Sequence, residues 1–423
     1  MGCAQGLGRI ASRIGLLAGL LLALMLLATA TAPASRAHRL ARAHQRHADT
    51  DRRGAPDPDD RRHTTSRKRH RHTKSRGHHG HHKAITGRPM TPAPTPTKSA
   101  QVRAMPVSLS VANVNTSMVP CSPDGNSYTL AGTLFLPAQS TPAGVTLYVH
   151  GLGFAGYFWH FTAVGGYDYA TTEAEHGHAS MVIDRLGYGA SSIPPGTASC
   201  VGGQASIVHQ VVQALRHGSY QATGTARSPS FSRVGLAGHS AGGQLVQIEA
   251  YSFSDIDALA VMDWADQSYS PSALSAFGAA GSQCAGGGSP QVGGRSNGYG
   301  AYGQTTAQYD SLMFHDTDPA VLAAANAMRT LDPCGDINSI LNGVSVDVAN
   351  VGSIKVPIAY VWGDQDANYI AGSPWWQQQE AMYSSSPKVT DVTLTNTGHA
   401  VTLERSAPRL QTAMNHWLTA NGL

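Results

Sequence analysis

The stretch VGLAGHSAGGQL, residues 234–245, decides how the rest of the chain is read. A short apolar run leads into Gly238-His239-Ser240-Ala241-Gly242, and a helix-like pattern, AGGQLVQIEAYSF (241–253), follows at once. In a chain with 46 glycines the pattern G-x-S-x-G means little alone. A second copy, Gly294-Arg295-Ser296-Asn297-Gly298, lies in SPQVGGRSNGYGAYG, which is loop composition with no strand before it. Only Ser240 stands between a strand pattern and a helix pattern, where the chain must turn sharply and lift the apical side chain above the sheet. The competing reading makes Ser240 a helix N-cap, its hydroxyl taken up by first-turn amides.

Working outward, the same alternation continues on both sides. SYTLAGTLFLP (127–137), GVTLYVHG (144–151), ASMVIDRLG (179–187), FSRVGLAGHS (231–240), IDALAVMDW (256–264), VPIAYVWGD (356–364) and VTDVTLTNTG (389–398) read as strands. Helices are expected from Phe158 to His176 and over IVHQVVQALRHG (207–218), which puts Ile207, Val211, Val212 and Leu215 on one face and stops at Gly218. Further helices are expected over 241–253, from Trp375 to Tyr383, and around Leu410, Met414 and Leu418. Near-continuous apolar strands alternating with helices place the chain in the α/β class, with a mostly parallel central sheet covered on both faces.

In such sheets ligands bind outside the carboxyl ends of the strands. Those ends carry His150-Gly151-Leu152-Gly153, Asp184-Arg185-Leu186-Gly187, Gly238-His239-Ser240, Asp263, the run Gly363 to Asp366, and Gly398-His399. A serine hydroxyl is a poor nucleophile at neutral pH and needs a base that is itself oriented by an acid. His399, after the last strand, is the candidate base. Asp366, three residues past the glycine that ends its strand, is the first choice for the acid, with Asp263 and Asp364 as alternatives. The backbone amides of Leu152 and Ala241 are candidates to hold an oxyanion. DRLGYGAS (184–191) is read as shaping the pocket, without a chemical step.

These residues together carry a likeness. HGLGF (150–154), DRLGYGAS, GHSAGG (238–243), WGDQDA (362–367) and NTGHA (396–400), in that order, resemble the α/β-hydrolase fold superfamily over most of the stretch from Tyr128 to Leu418. The resemblance implies a nucleophile elbow at Ser240, the chain order Ser, Asp, His, and the roles given above. One departure is an insertion at about 266–355, rich in Gly, Ala, Ser, Tyr and Gln, where this superfamily commonly carries a lid or cap. Its first part, 269–303, is too poor in large apolar residues to read as a helical cap, and VLAAANAMRTL (321–331) is the best helix in it.

Composition divides the chain. Arg9 and Arg13 precede the apolar run LLAGLLLALMLLATA (16–30), which ends in Ala28-Thr29-Ala30, so residues 1–30 read as a cleaved export signal. The alternative is an uncleaved segment that anchors the chain in a membrane. Residues 31–99 form a basic tail and Pro-rich linker: positions 35–88 hold 16 Lys and Arg against 5 Asp, with 10 of the 20 histidines. Too little apolar surface is present there to offset chain entropy, so disorder is expected. From Pro89 onward, 12 Lys and Arg face 21 Asp and Glu, so an acidic domain (100–423) follows a basic tail that suits an anionic surface or polymer, without specific nucleic-acid recognition. With Cys3 lost alongside the signal, Cys121, Cys200, Cys284 and Cys334 remain for two disulfides in an exported chain. Four cysteines allow three connectivities, of which Cys121 with Cys200 and Cys284 with Cys334 is preferred, because the second bracket closes an irregular stretch.

The function expected is an exported or cell-surface serine hydrolase that cleaves small-molecule carboxylic esters through an acyl-enzyme. No cofactor and no metal site are read from the sequence; the histidine tract 78–82 is of a kind that takes up metals adventitiously. No stable membrane span is expected in the mature chain. Thioesterase, amidase or peptidase, carbon–carbon hydrolase and cofactor-free haloperoxidase chemistry are the alternatives within the fold. A non-catalytic secreted binding protein attached through its basic tail is the alternative outside enzymology.

Overall fold

A computed structural model describes residues 102–294 and 296–423. The export signal, the basic tail with its histidine tract, the linker, Cys3 and Arg295 lie outside the described residues. The first strands are β1 (Arg103–Ala112), β2 (Ser127–Leu136), β3 (Gly144–Val149) and β4 (Ala179–Ile183), with helix α1 (Tyr169–Glu175) before β4. Helix α2 (Val201–His217), β5 (Gln221–Ala222), β6 (Arg233–His239), helix α3 (Ala241–Phe253) and β7 (Ala258–Met262) follow. The inserted region holds α4 (Pro271–Ala285), β8 (Tyr299–Gly300), α5 (Thr306–Met313), α6 (Pro319–Met328), β9 (Asp332–Pro333) and α7 (Cys334–Asn350). The chain ends with β10 (Ile358–Gly363), α8 (Trp375–Met382), β11 (Val389–Leu394) and α9 (Ala407–Asn421).

The main sheet has the order β11-β10-β7-β6-β3-β4-β2-β1-β5. From β11 through β4 every pairing is parallel, while β2 pairs antiparallel with both β4 and β1. The parallel strands β3, β4, β7 and β10 are buried at every residue, as expected of a sheet with helices on both faces. After β3 the chain moves to one side to form β4 and then crosses to the other to form β6. The strand order therefore reverses between β3 and β6, and a crevice opens above their carboxyl ends.

Two local readings are corrected. The expected helix from Phe158 to His176 is a short turn at Gly156–Phe158, a loop, and α1 alone; Gly165-Gly166 interrupt it, and Asp168 caps α1 by accepting from the Thr171 amide. Residues 271–285 of the insertion are helical, capped by Ser270 with Pro271 in the first turn. The buried face of α4 is Ala273, Ala276, Ala280 and Cys284, so it is apolar but built from small side chains. β1, with its alternating Met105, Val107, Leu109 and Val111, and the long helix α7 were not read from the sequence.

Both disulfides have the expected partners: Cys121–Cys200 and Cys284–Cys334. The second staples α4 to the start of α7, within a small apolar cluster of Ala280 and Ile337. Among the described residues, no helix is long and apolar enough to cross a membrane.

One buried group carries an electrostatic cost. Glu173 on α1 is fully buried, and the Tyr169 hydroxyl is the polar group within reach of its carboxyl. Burial pushes its carboxyl up to about 8. The folded chain therefore holds a proton that the unfolded chain releases near 4.5, so stability is lost as pH rises between those values, by about 1.4 kcal/mol per pH unit. Glu173→Gln keeps the shape without the ionisation. Thermal melts should show the variant gaining on the wild type from pH 5 to pH 8; a difference that stays constant with pH contradicts this account.

Candidate active site

Ser240 lies at the turn from β6 into α3 with φ 55° and ψ −126°, a backbone conformation costly for a residue with a Cβ. Close packing holds it there. A Cβ on Gly242 would come within 2.3 Å of the Val149 carbonyl oxygen, and one on Gly238 within 2.2 Å of the Gly242 carbonyl oxygen. Only glycine lets the first turn of α3 sit this close to β3 and β6. The Ser240 amide donates to the Met262 carbonyl (2.9 Å), which ties the turn to β7. Ser240 occupies the N-cap position, yet its side chain makes no capping bond. Its hydroxyl is thus not committed to the helix. Ser296 of the second G-x-S-x-G copy donates instead to the Ile193 carbonyl (2.6 Å), a loop contact.

His399 comes back over the sheet after β11. Its Nδ1 lies 2.7 Å from Oδ2 of Asp366, and both residues are buried. The other oxygen of Asp366 accepts from the amide and the side-chain Nδ2 of Asn368 (2.9 and 3.0 Å). Asn368 is itself fixed by donating to the Leu312 carbonyl and accepting from the Tyr302 hydroxyl. The Asp366 carboxylate is therefore saturated on one side and directed at the imidazole on the other, so Nδ1 carries the proton and Nε2 keeps its lone pair.

The three aspartates fare differently. Asp364 is exposed and accepts from the Thr397 amide (3.3 Å). Asp263 is fully buried, accepts from the Gly363 amide (2.9 Å), and has its carboxyl within hydrogen-bonding reach of that of Asp366. Burial, and then the neighbouring Asp366 charge, push the Asp263 carboxyl well above its ordinary range. A carboxyl held neutral cannot supply the negative charge that an imidazolium needs. Of the three, Asp366 has the geometry of an orienting acid.

Leu152 and Ala241 sit beside the serine, and both line one cavity with Ser240, His399, Trp264 and Tyr302. Ala241 opens α3, so its amide has no partner inside the helix. The loop bearing Leu152 is fixed from the insertion. The Gly153 amide donates to Asp332 (2.7 Å), and Asp332 also accepts from the Tyr188 hydroxyl (3.1 Å). Arg185, almost wholly buried, donates to Tyr188, to the Gly151 carbonyl and to Asp336. Burial raises Asp332 to about 6 despite these donors. His150 lies on the other side of the loop. Its Nδ1 donates to the Gly151 carbonyl and its Nε2 accepts from the Arg185 amide, and burial lowers it well below the usual histidine range.

Several site residues escaped the sequence reading: Asn368, Asp332, Asp336 and His239. His239 donates from Nε2 to the carbonyl of His399 (2.9 Å) while its ring stacks on Phe158 at 4.1 Å. The residue before the serine thus holds the backbone of the histidine. Its signal was present in the motif itself, as a polar side chain at the last, fully buried position of β6.

Residues 147–412 match the family model described as "Alpha/beta hydrolase family". An esterase structure from Thermogutta terrifontis is similar at 17% identity and TM-score 0.52, covering 74% of this chain and 100% of that one. A monoacylglycerol lipase from Paleococcus ferrophilus aligns at 17% identity and TM-score 0.48, covering 67% of this chain and 96% of that one. An aryl esterase described as putative, from Burkholderia cenocepacia, aligns at 14% identity and TM-score 0.49, covering 74% and 99%. No curated protein matches the chain in sequence. A match over more than half the chain, on a sheet with the strand reversal between β3 and β6, leads to one assignment: the chain belongs to the alpha/beta hydrolase family.

Proposed function

We propose that this chain is an exported serine hydrolase that cleaves carboxylic esters through an acyl-enzyme. The observation that carries the reading is the 2.7 Å contact between His399 Nδ1 and Asp366, beside a cavity shared by His399 and a serine whose side chain caps nothing. In the proposed reaction, Oγ of Ser240 attacks the ester carbonyl carbon as its proton passes to Nε2 of His399. The amides of Leu152 and Ala241 hold the resulting oxyanion. Collapse breaks the carbon–oxygen bond to the alcohol, which leaves with the proton from His399. Water, deprotonated by His399, then releases the acid and restores Ser240. Asp366 stays ionised throughout and stabilises the imidazolium.

The cavity argues for a short acyl group. The space in it open to the centre of a water molecule is only about 10 Å³, and Trp264, Tyr269, Phe277, Tyr302 and Tyr369 form its aromatic walls. The basic segment 35–88 of the exported chain is proposed to hold the enzyme at an anionic surface, since clustered cations release counterions on binding.

Three experiments follow from this reading. Ser240→Ala should abolish labelling by a fluorophosphonate and lower kcat/KM on p-nitrophenyl acetate by roughly 10⁵-fold or more. Asp366→Asn should lower it by about 10⁴-fold and Asp364→Asn by less than about twofold; surviving activity in the serine variant, or a larger loss from Asp263→Asn than from Asp366→Asn, removes the assignment. Across a series of p-nitrophenyl esters, kcat/KM should peak at the shortest acyl chains and fall by octanoyl, whereas an optimum at long chains excludes the short-acyl pocket. On an anionic matrix, the full chain should elute at higher salt than a chain lacking 35–88, and equal elution excludes the surface role.

A further inference from the structure

A second cluster of chemistry-bearing side chains lies far from Ser240, at the other end of α3. His209 projects from α2, Glu249 from the last turns of α3, and Asp255 from the chain just beyond that helix. One ligand-type atom from each lies within 4.8 Å of the others. His209 Nδ1 is 3.4 Å from Glu249 Oε1 and 3.1 Å from Asp255 Oδ2. These are close to the edges of a tetrahedron with bonds of about 2.0–2.2 Å, whose vertices stand roughly 3.3–3.6 Å apart.

The environment of the three groups also points to a cation. Glu249 is fully buried and its carboxyl stands within hydrogen-bonding reach of that of Asp255, while Oε2 of Glu249 and Oδ1 of Asp255 receive no other donor. Two carboxylates and one imidazole form a set that complements a divalent charge. Two of the ligands are already braced. The His209 ring stacks on Phe253 at 3.9 Å and 14°, and Gln213 donates to Asp255 Oδ2. Such outer partners are the usual means of fixing ligand orientation. His209 and Asp255 are each about one quarter exposed, at 25% and 22%, which leaves a path from solvent to the buried Glu249. Among the described residues Arg216 packs nearby, but it donates to the Asp255 carbonyl and to Asp257, which Arg233 also approaches, and is given no bond to Glu249 Oε2 or Asp255 Oδ1.

We propose that His209, Glu249 and Asp255 bind a single divalent transition-metal ion, with zinc(II) the best fit, as a structural site that ties α2 to α3. The fourth position is open to water from the exposed side. The site is independent of the hydrolytic reading, because none of its ligands touches the cavity at Ser240.

The test uses the full chain, stripped with a chelator and titrated with zinc chloride, so that the histidine-rich segment is common to every sample. Wild-type protein should melt roughly 3 °C or more higher in saturating zinc, and the gain should vanish in both His209→Ala and Glu249→Gln. Crystals soaked in zinc and measured on both sides of its absorption edge should show anomalous density between the three wild-type side chains. That second measurement stands even where a variant fails to fold. Absence of the density, or an equal zinc-dependent gain in wild type and both variants, overturns the site. A proton shared between Glu249 and Asp255 would give that first outcome, with stability indifferent to zinc. Hydrolysis by Ser240 is measured separately and decides nothing here.

Discussion

The backbone of Ser240 is held in a conformation that a residue with a side chain adopts at a cost, and the rest of the site depends on keeping it there. Three contacts do so: β6 paired on both edges, the first turn of α3 pressed against the Val149 carbonyl, and the Ser240 amide bonded to Met262. Strain of this kind costs about 1–3 kcal/mol and persists only where the surroundings over-determine it. Here the surroundings are the most deeply buried strands of the sheet. The position of the hydroxyl is therefore set by the core, with loop flexibility contributing little.

The insertion does more than line the cavity. Its Asp332 fixes the amide of Gly153, and Asp336 neutralises Arg185, whose guanidinium braces the same loop from below. Breaking a buried ion pair by removing one partner is far more damaging than never having made it. The loop bearing Leu152 therefore depends on residues about 180 positions away in sequence, and the Cys284–Cys334 disulfide anchors those residues at the start of α7. The catalytic assignment and the insertion are in this sense one structure.

This dependence also explains what could be read from the sequence and what could not. The central strands, the turn at Ser240, and the placing of His399 and the aspartates at strand ends follow from local signals: apolar runs, glycine stops and the change of period into a helix. Helix α4 was hidden because its buried face is alanine and cysteine, so the amplitude of its hydropathy pattern is small although its period is helical. Asp332 and Asp336 had no local signature at all. Their meaning arises only when the inserted chain returns to Gly153 and Arg185. Spacing from Gly363 points to Asp366 among the three aspartates, but the burial and the amide contacts that set it apart from Asp263 and Asp364 are not carried by spacing.

Helix α3 joins the two ends of the molecule's chemistry by its own electrostatics. Its aligned peptide dipoles leave partial positive charge at the amino end and partial negative charge at the carboxyl end. The amino end begins at Ala241, whose free amide faces the cavity region in which the proposed reaction develops an oxyanion. The carboxyl end finishes at Phe253, between Glu249 and Asp255, where a cation is favoured by the dipole as well as by the two carboxylates. A helix of 13 residues is about 20 Å long, so the two sites are well beyond direct contact. An anion stabilised at one end and a cation at the other both favour the same helix in the same place. Each therefore supports the turn at Ser240 without any change of shape passing between them.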